Sequence, residues 1–357
     1  YRSRLANPDL KWETTTEWNL GLDMGFLNNR ILASVEFYHK VVSDLLNYKP
    51  LNAYQEITRV MANVGKTQST GVELTINTKN IDSRNFKWST DFTFTAYKDR
   101  WKERTPDWKP GVYERVDDPI RPIYTRLADH ILQIGEQVPD AQPLLRPGEL
   151  VIKDINGYRR DANKQPIVDE NGRFVLTGEP DGLIDDADNV LLGSQDPSWL
   201  AGITNTFKYK DFDLNIQLNG MFGRRMQDPT EMAYGLGGGD LARYGYNALR
   251  KIKDRWTWDN PSTTQPTSFN GWGNNYTSGD WYYQRAWFIR LTNISFGWTL
   301  PKAWIARTKV LSRVRLSLSA NNLFCITPYK GLDPETDYYA ASYPNARTYS
   351  MGINVTF

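Results

Sequence analysis

Nine stretches of this chain alternate apolar and polar residues with a period of two. The last is the cleanest. Tyr349, Met351, Ile353, Val355 and Phe357 are apolar, and Thr348, Ser350, Gly352, Asn354 and Thr356 between them are small or polar. Side chains of a strand point alternately to its two faces, so one face is apolar and the other wet. The same holds where Trp18, Leu20, Leu22, Met24 and Phe26 alternate with Asn19, Gly21, Asp23 and Gly25. The pattern predicts strands near residues 17–26, 30–40, 71–78, 86–97, 198–209, 211–222, 286–300, 313–322 and 347–357. A strand that runs to a terminal aromatic, Phe357, suits a barrel whose last strand pairs with its first.

Connection lengths alternate as well. Short joints are expected at Leu27–Asn29, Asn80–Asn85, Lys210 and Pro301–Arg307, the last as one helical turn. Long loops are expected near 41–70, 98–197, 223–285 and 323–346. Short turns at one end and long loops at the other are the habit of a transmembrane barrel with periplasmic turns and extracellular loops. Aromatics supply a further test. On the apolar faces, Phe26, Trp88, Tyr209, Phe212, Trp298 and Phe357 sit near the short turns. Trp18, Trp199, Phe222 and Tyr349 sit near the long loops. Eight to ten residues separate the two sets, which projects along a tilted strand to roughly 19–25 Å, near the ~25 Å apolar band of a barrel. The fold class expected is therefore all-β, an antiparallel transmembrane β-barrel. Nine is odd, and open edges do not survive in lipid, so the strands read as part of a larger wall.

Composition changes this picture little. Mean hydropathy is −0.59 over 357 residues, which lumen-facing polar residues and long loops explain. No apolar run is long enough for a transmembrane helix. The net charge of +2 argues against nucleic acid as a partner. A single cysteine, Cys325, excludes an internal disulfide and a cysteine-based zinc site. The opening Tyr1-Arg2-Ser3-Arg4 has neither Met nor an apolar stretch, so the signal peptide is expected to be absent.

Several phrases resemble the SusC/RagA-like branch of TonB-dependent outer-membrane transporters. They are Asn7-Pro-Asp-Leu-Lys-Trp-Glu13, Asn63-Val-Gly65 with Thr70-Gly-Val-Glu-Leu74, Arg290-Leu-Thr-Asn-Ile-Ser-Phe-Gly-Trp-Thr-Leu-Pro301, Asn321-Asn-Leu-Phe324, Tyr329-Lys-Gly-Leu-Asp-Pro-Glu335 and Tyr343-Pro-Asn-Ala-Arg347. They run in the family's order from about Asn7 to Phe357. The resemblance implies the C-terminal strands of a plugged barrel of about 22 strands. It implies a Gram-negative outer-membrane location, with the C-terminus periplasmic and the long loops outside. It also implies a SusD-like surface lipoprotein as partner, coupling to TonB through an upstream plug absent here, and oligosaccharide or peptide cargo. Two alternatives stand beside it: a soluble all-β glycan-binding or adhesin module, and an outer-membrane barrel that only scaffolds surface proteins.

Candidate chemistry is sparse. That family often carries a run of the form D-x-N-x-D-G-x-I-D-x-x-D, which resembles a calcium loop. Here Asp154 and Asn156 match its start, and Asp181, Asp185 and Asp188 its end, with an insertion from Gly157 to Pro180 between them. A hairpin turning at Asn171-Gly172 could span the insertion, or the insertion could have destroyed the site. No other cofactor is expected. The loop 223–285 holds eleven aromatics able to stack on sugar or to pack on one another, and a helix is expected from Asp240 through Ile252. His39 and His130 have no metal-ligand spacing, and no nucleophile–base motif is present, so an enzyme is not expected.

Overall fold

The computed structural model describes residues 6–51, 59–105, 108, 110–170, 173–235, 245, 247–267, 279–336 and 343–357. Nine strands form one meandering sheet. They are β1 (Thr14–Phe26), β2 (Ile31–Ser43), β3 (Lys66–Asp82), β4 (Phe86–Glu103), β5 (Trp199–Tyr209), β6 (Phe212–Phe222), β7 (Phe288–Thr299), β8 (Arg313–Asn321) and β9 (Thr348–Thr356). They lie side by side in chain order, each antiparallel to its neighbours. A two-residue strand, Cys325–Ile326, adds to β7 beyond the end of β8. The sheet is not closed: β1 and β9 each have one partner. In a bilayer such edges need further strands, because lipid offers no hydrogen bonds.

Short turns form where the sequence tolerates left-handed backbone. Leu27, Asn28 and Asn29 between β1 and β2 have φ of 53°, 55° and 60°. Asparagine visits this region readily; leucine does so at a steric cost. Lys210 (φ 50°) turns β5 into β6, with Tyr209 opposite Phe212. Between β7 and β8 the expected helical turn is Lys302–Ile305 followed by a 3-10 turn, and it ends on left-handed Lys309.

The registers keep the apolar residues of neighbouring strands on one face. Ile203 lies between Phe92 and Leu218, and Leu316 between Trp298 and Ile353. A bulge at Thr292, which has no partner on β6, shifts the parity of β7. It keeps Ile289 and Leu291 in line with Ile294 and sends Phe288 and Arg290 to the polar face. The described residues leave most of the apolar face bare. Trp18 and Leu20 are each 76% exposed, Met351 78% and Phe357 81%. A soluble sandwich would bury this face against a second sheet.

Rings gather in two bands on that face. Trp199 stacks on Phe222 at 3.7 Å, and Phe222 on Trp287 at 6.0 Å, at the long-loop end. Trp88 stacks on Phe207 at 5.6 Å, and Phe212 on both Phe296 and Trp298 at 5.8 Å, at the short-turn end. Asn205 interrupts the apolar run of β5, but its Oδ1 accepts from Trp88 Nε1 (2.9 Å) and Thr90 Oγ1 (2.7 Å).

The long loops are more structured than their length suggests. Within 41–70 a hairpin pairs Leu46–Pro50 with Arg59–Asn63, and β2 and β3 run further into this stretch than their alternation reached. In 98–197, Pro122–Thr125 pairs with Val190–Ser194, and Ala128–Ile131 with Leu150–Ile152. In 223–285, Arg225–Gln227 pairs with Tyr283–Arg285, and Pro229–Tyr234 is a short helix capped by Asp228. The helix expected from Asp240 is corrected where it can be seen: Leu249 is extended and Arg250–Asp254 is a 3-10 segment. Its first turn, Asp240 to Tyr244, lies outside the described residues, as does the Asn171-Gly172 turn.

The clustered buried core lies among these loops, while in the wall the buried apolar side chains are Phe288 and Leu291 at the loop end of β7. Ile131, Leu150, Ile152, Trp256 and Tyr282 form one cluster, and Met226, Ala286 and Tyr329 a second.

Candidate functional site

All four long connections emerge at one end of the sheet, and three of them pack together there. Loop 98–197 meets loop 223–285 through Trp256, whose Nε1 donates to Gln133 Oε1 at 3.4 Å. Gly148 (φ 91°) makes room for that ring, since a Cβ there would lie 2.4 Å from it. Asp280 N donates to Arg126 O (2.9 Å), and Ala128 N to Asp280 Oδ1 (2.8 Å). Burial pushes the Tyr282 hydroxyl up to about 12.

Loop 323–346 is fastened to the polar face of β7. Arg290 Nη2 donates to Asp333 Oδ1 at 2.6 Å, and both side chains are almost fully buried. Arg290 Nε lies 3.1 Å from Glu335 Oε2, out of line for a hydrogen bond, so that contact is one of charge. Asp333 also accepts from Glu335 N (2.9 Å) and Asn345 N (3.1 Å). Tyr329 Oη donates to Gln227 O (3.1 Å), and Lys330 N to Gln284 Oε1 (2.8 Å), tying this loop to 223–285. Gly331 lets the Tyr329 ring fold back, since a Cβ there would sit 2.4 Å from it. The phrases around Arg290 and Tyr329 stand out in the sequence, but their interlocking does not. The available signal was charge: an arginine at the loop end of a strand, and two acids in a loop that must return over it.

The five residues of the expected cation loop are brought together. The insertion leaves at Gly157 and returns at Thr177 as a small meander, with Tyr158 bridged to Leu176 and Val168 to Phe174. Asp154 accepts from Asp181 N (3.2 Å) and Gly182 N (2.7 Å). Asn156 accepts from Gly178 N (2.8 Å), and Asp181 from Leu183 N (3.1 Å). Asp185 caps a 3-10 turn through Ala187 N (2.8 Å). Asp188, fully buried, accepts from Ile155 N, Asn156 N and Asp185 N at 2.9–3.2 Å. Each side chain thus receives backbone donors, and a calcium ion would have to share those oxygens. Among the described residues no three His, Cys, Asp or Glu side chains converge as metal ligands. Asp188→Asn leaves one of its two acceptor oxygens, and is expected to destabilise the loop by about 1–2 kcal/mol. Faster proteolysis within 154–188 is the readout; unchanged cleavage would remove Asp188 as the tie.

His130 is a second charged knot in loop 98–197. Its ring nitrogens lie 2.9 Å from Asp129 Oδ2 and 2.6 Å from Glu136 Oε1. Partial burial pulls its pKa down, but the two carboxylates outweigh that and hold it above 6.5. The folded state therefore keeps the proton more tightly than the unfolded one. Its stabilisation is complete below about pH 6.5 and fades as pH rises through the raised value. The group is half exposed, so the effect is screened and worth under ~1 kcal/mol. Proteolysis of this loop should quicken as pH rises above about 6.5, and His130→Gln should flatten that dependence.

Of the aromatics in 223–285, Trp256 and Tyr282 are core and Trp281 packs on them. Trp258, 69% exposed and edge-on to Trp256 at 5.4 Å, is free to meet a ligand or partner, beside a cleft of about 560 Å³ that includes Arg255. Tyr244, Tyr246, Phe269, Trp272 and Tyr276 lie outside the described residues. His39 contacts Thr70 Oγ1 at 2.7 Å and belongs to the wall.

Comparison with known proteins agrees with this architecture. Residues 1–128 match the family described as TonB dependent receptor-like, beta-barrel. TonB-dependent receptor P3 of Formosa agariphila is 30% identical over 99% of this chain and 35% of its own length. TonB-dependent receptor SusC of Bacteroides thetaiotaomicron is 27% identical over 100% of this chain and 33% of its own. The chain thus spans about a third of the length of the curated relatives it matches. The RagAB peptide importer in its closed-closed state shares the fold, with a TM-score of 0.76 at 24% identity over 99% of this chain and 36% of that one. These receptors are transporters and not enzymes. The chain is the C-terminal barrel part of a SusC/RagA-like TonB-dependent receptor of the outer membrane.

Proposed function

We propose that this chain forms wall and cell-surface loops of an importer that takes up oligosaccharides or peptides with a SusD-like surface lipoprotein. Energy would come from TonB, through a plug upstream of these strands. The observation that carries the reading is the packed cap at one end of a bare-faced wall. Loops that interlock as tightly as 98–197, 223–285 and 323–346 offer a firm rim on which a lid can rest. The long-loop end would face outside and the C-terminus the periplasm, which the bulk of these loops supports.

The kinship to SusC and the fold shared with a peptide importer support import over mere scaffolding. The bare apolar face speaks against a soluble adhesin. The test is uptake by cells lacking the receptor, with and without the intact gene restored, using labelled oligosaccharides and peptides. Restored uptake of one class supports the proposal. Restoration of surface lipoprotein display without uptake of either would favour the scaffold reading.

A further inference from the structure

A cleft of about 620 Å³ opens on the outer side of the wall where β2, β3, β4 and β5 leave the upper aromatic band. Its floor is apolar: Phe37, Val72, Ala96 and Trp199, a row in register across the four strands. Its top is basic. Lys98 and Arg100 continue β4 on the parity of Ala96, so both stand on the lipid-facing side. They lie two and four residues beyond the Trp199 level, roughly 7 and 13 Å along the strand. After barrel tilt that is about 5 and 10 Å above the band, where lipid headgroups sit.

These cations are uncommitted. Neither makes an ion pair among the described residues, and Arg100 donates only to the Asp99 carbonyl (2.8 Å). Two acids line the cleft as well, Asp99 and Asp196. Asp196 is held by Arg121 at 3.2 Å, and Asp99 lies on the alternate parity of β4, so neither is paired with Lys98 or Arg100. The segments 119–120 and 193–198 stand opposite and make the far wall. An apolar floor continuous with the membrane face, under two unpaired cations at headgroup height, is complementary to one kind of molecule.

We propose that this cleft binds a phosphorylated lipid of the leaflet at the long-loop end, with its phosphate between Lys98 and Arg100 and its acyl chain along Phe37, Val72 and Trp199. The proposal rests on the reading of the wall as membrane-spanning. Such a lipid would fix the height of the barrel and brace loop 98–197 against the wall.

The test uses the intact receptor in detergent, offered phosphatidic acid or phosphatidylcholine and examined by native mass spectrometry. Phosphatidic acid should be retained preferentially. Each charge removed should weaken retention about fivefold, so Lys98→Gln with Arg100→Gln together lose roughly 25-fold. Millimolar inorganic phosphate should not displace the lipid, because it cannot use the apolar floor. Equal retention by wild type and double variant, equal retention of phosphatidylcholine, or full displacement by free phosphate would each overturn the proposal. Quenching of tryptophan by brominated lipid in nanodiscs serves as the control. If it persists in the double variant, the wall is in the membrane and only the cleft is at issue. If wild type itself is not quenched, the membrane reading fails first.

Discussion

Arg290→Ala should release the last surface loop and destabilise the receptor by about 3–5 kcal/mol, because it leaves a buried carboxylate without its counter-charge. Asp333 is 5% exposed in its side chain, so water does not replace the guanidinium. Its two backbone donors, Glu335 N and Asn345 N, remain but carry no full charge. Arg290→Lys should recover only part of the loss, since an ammonium cannot span Asp333 and Glu335 as the planar fork does. Arg290→Met with Asp333→Asn should be much milder than Arg290→Ala alone, because no orphan charge stays behind. The measurement is the denaturation midpoint of the receptor in bilayers, with protease cleavage inside 323–346 as the local readout. A single variant within ~0.5 kcal/mol of wild type would show that the pair does not hold the loop.

The second large effect contrasts neighbours. Ile203 lies midway between the aromatic bands on the apolar face of β5, flanked by Phe92 and Leu218. Thr204 lies on the opposite face, between Asp91 and Gln217. Ile203→Arg should cost about 2–4 kcal/mol, the penalty for a cation at the bilayer midplane. Thr204→Arg should be near neutral, with Asp91 at hand across the strand pair. In a soluble protein that left both faces wet, the two variants would behave alike. The comparison is a pair of denaturant titrations in the same lipid, and equal midpoints would contradict the membrane assignment of this face.

The wall was legible in the sequence because its signal is local. Period-two alternation needs only the residues of one strand, and the turn residues Asn28, Asn29 and Lys210 mark where it breaks. Sheet order followed from connection length. The bulge at Thr292 was not legible, since Arg290 to Leu300 reads as a plain strand until its partner shows the extra residue. The loop cap was hidden for a different reason. Its contacts join residues far apart in the chain, such as Gln133 with Trp256 and Arg290 with Asp333. No short-range pattern encodes such pairings. The helix expected from Asp240 shows a related limit: the helical spacing of Leu249 and Ile252 falls on an extended residue followed by a 3-10 segment. For the acidic loop, the sequence displays the carboxylates but not the backbone amides they accept from, because Asp154 meets Asp181 N and Gly182 N, and Asp188 meets Ile155 N and Asn156 N, across the insertion.

The central claim is that one face of this sheet meets lipid and the other meets water. Spin labels placed one at a time at residues 213–219 of β6, in the intact receptor with Cys325→Ser, test it directly. Labels at 214, 216 and 218 should be open to oxygen dissolved in the bilayer and shielded from a water-soluble nickel complex, while 213, 215, 217 and 219 show the reverse. A flat profile, or labels at 214, 216 and 218 shielded from oxygen, would contradict the account.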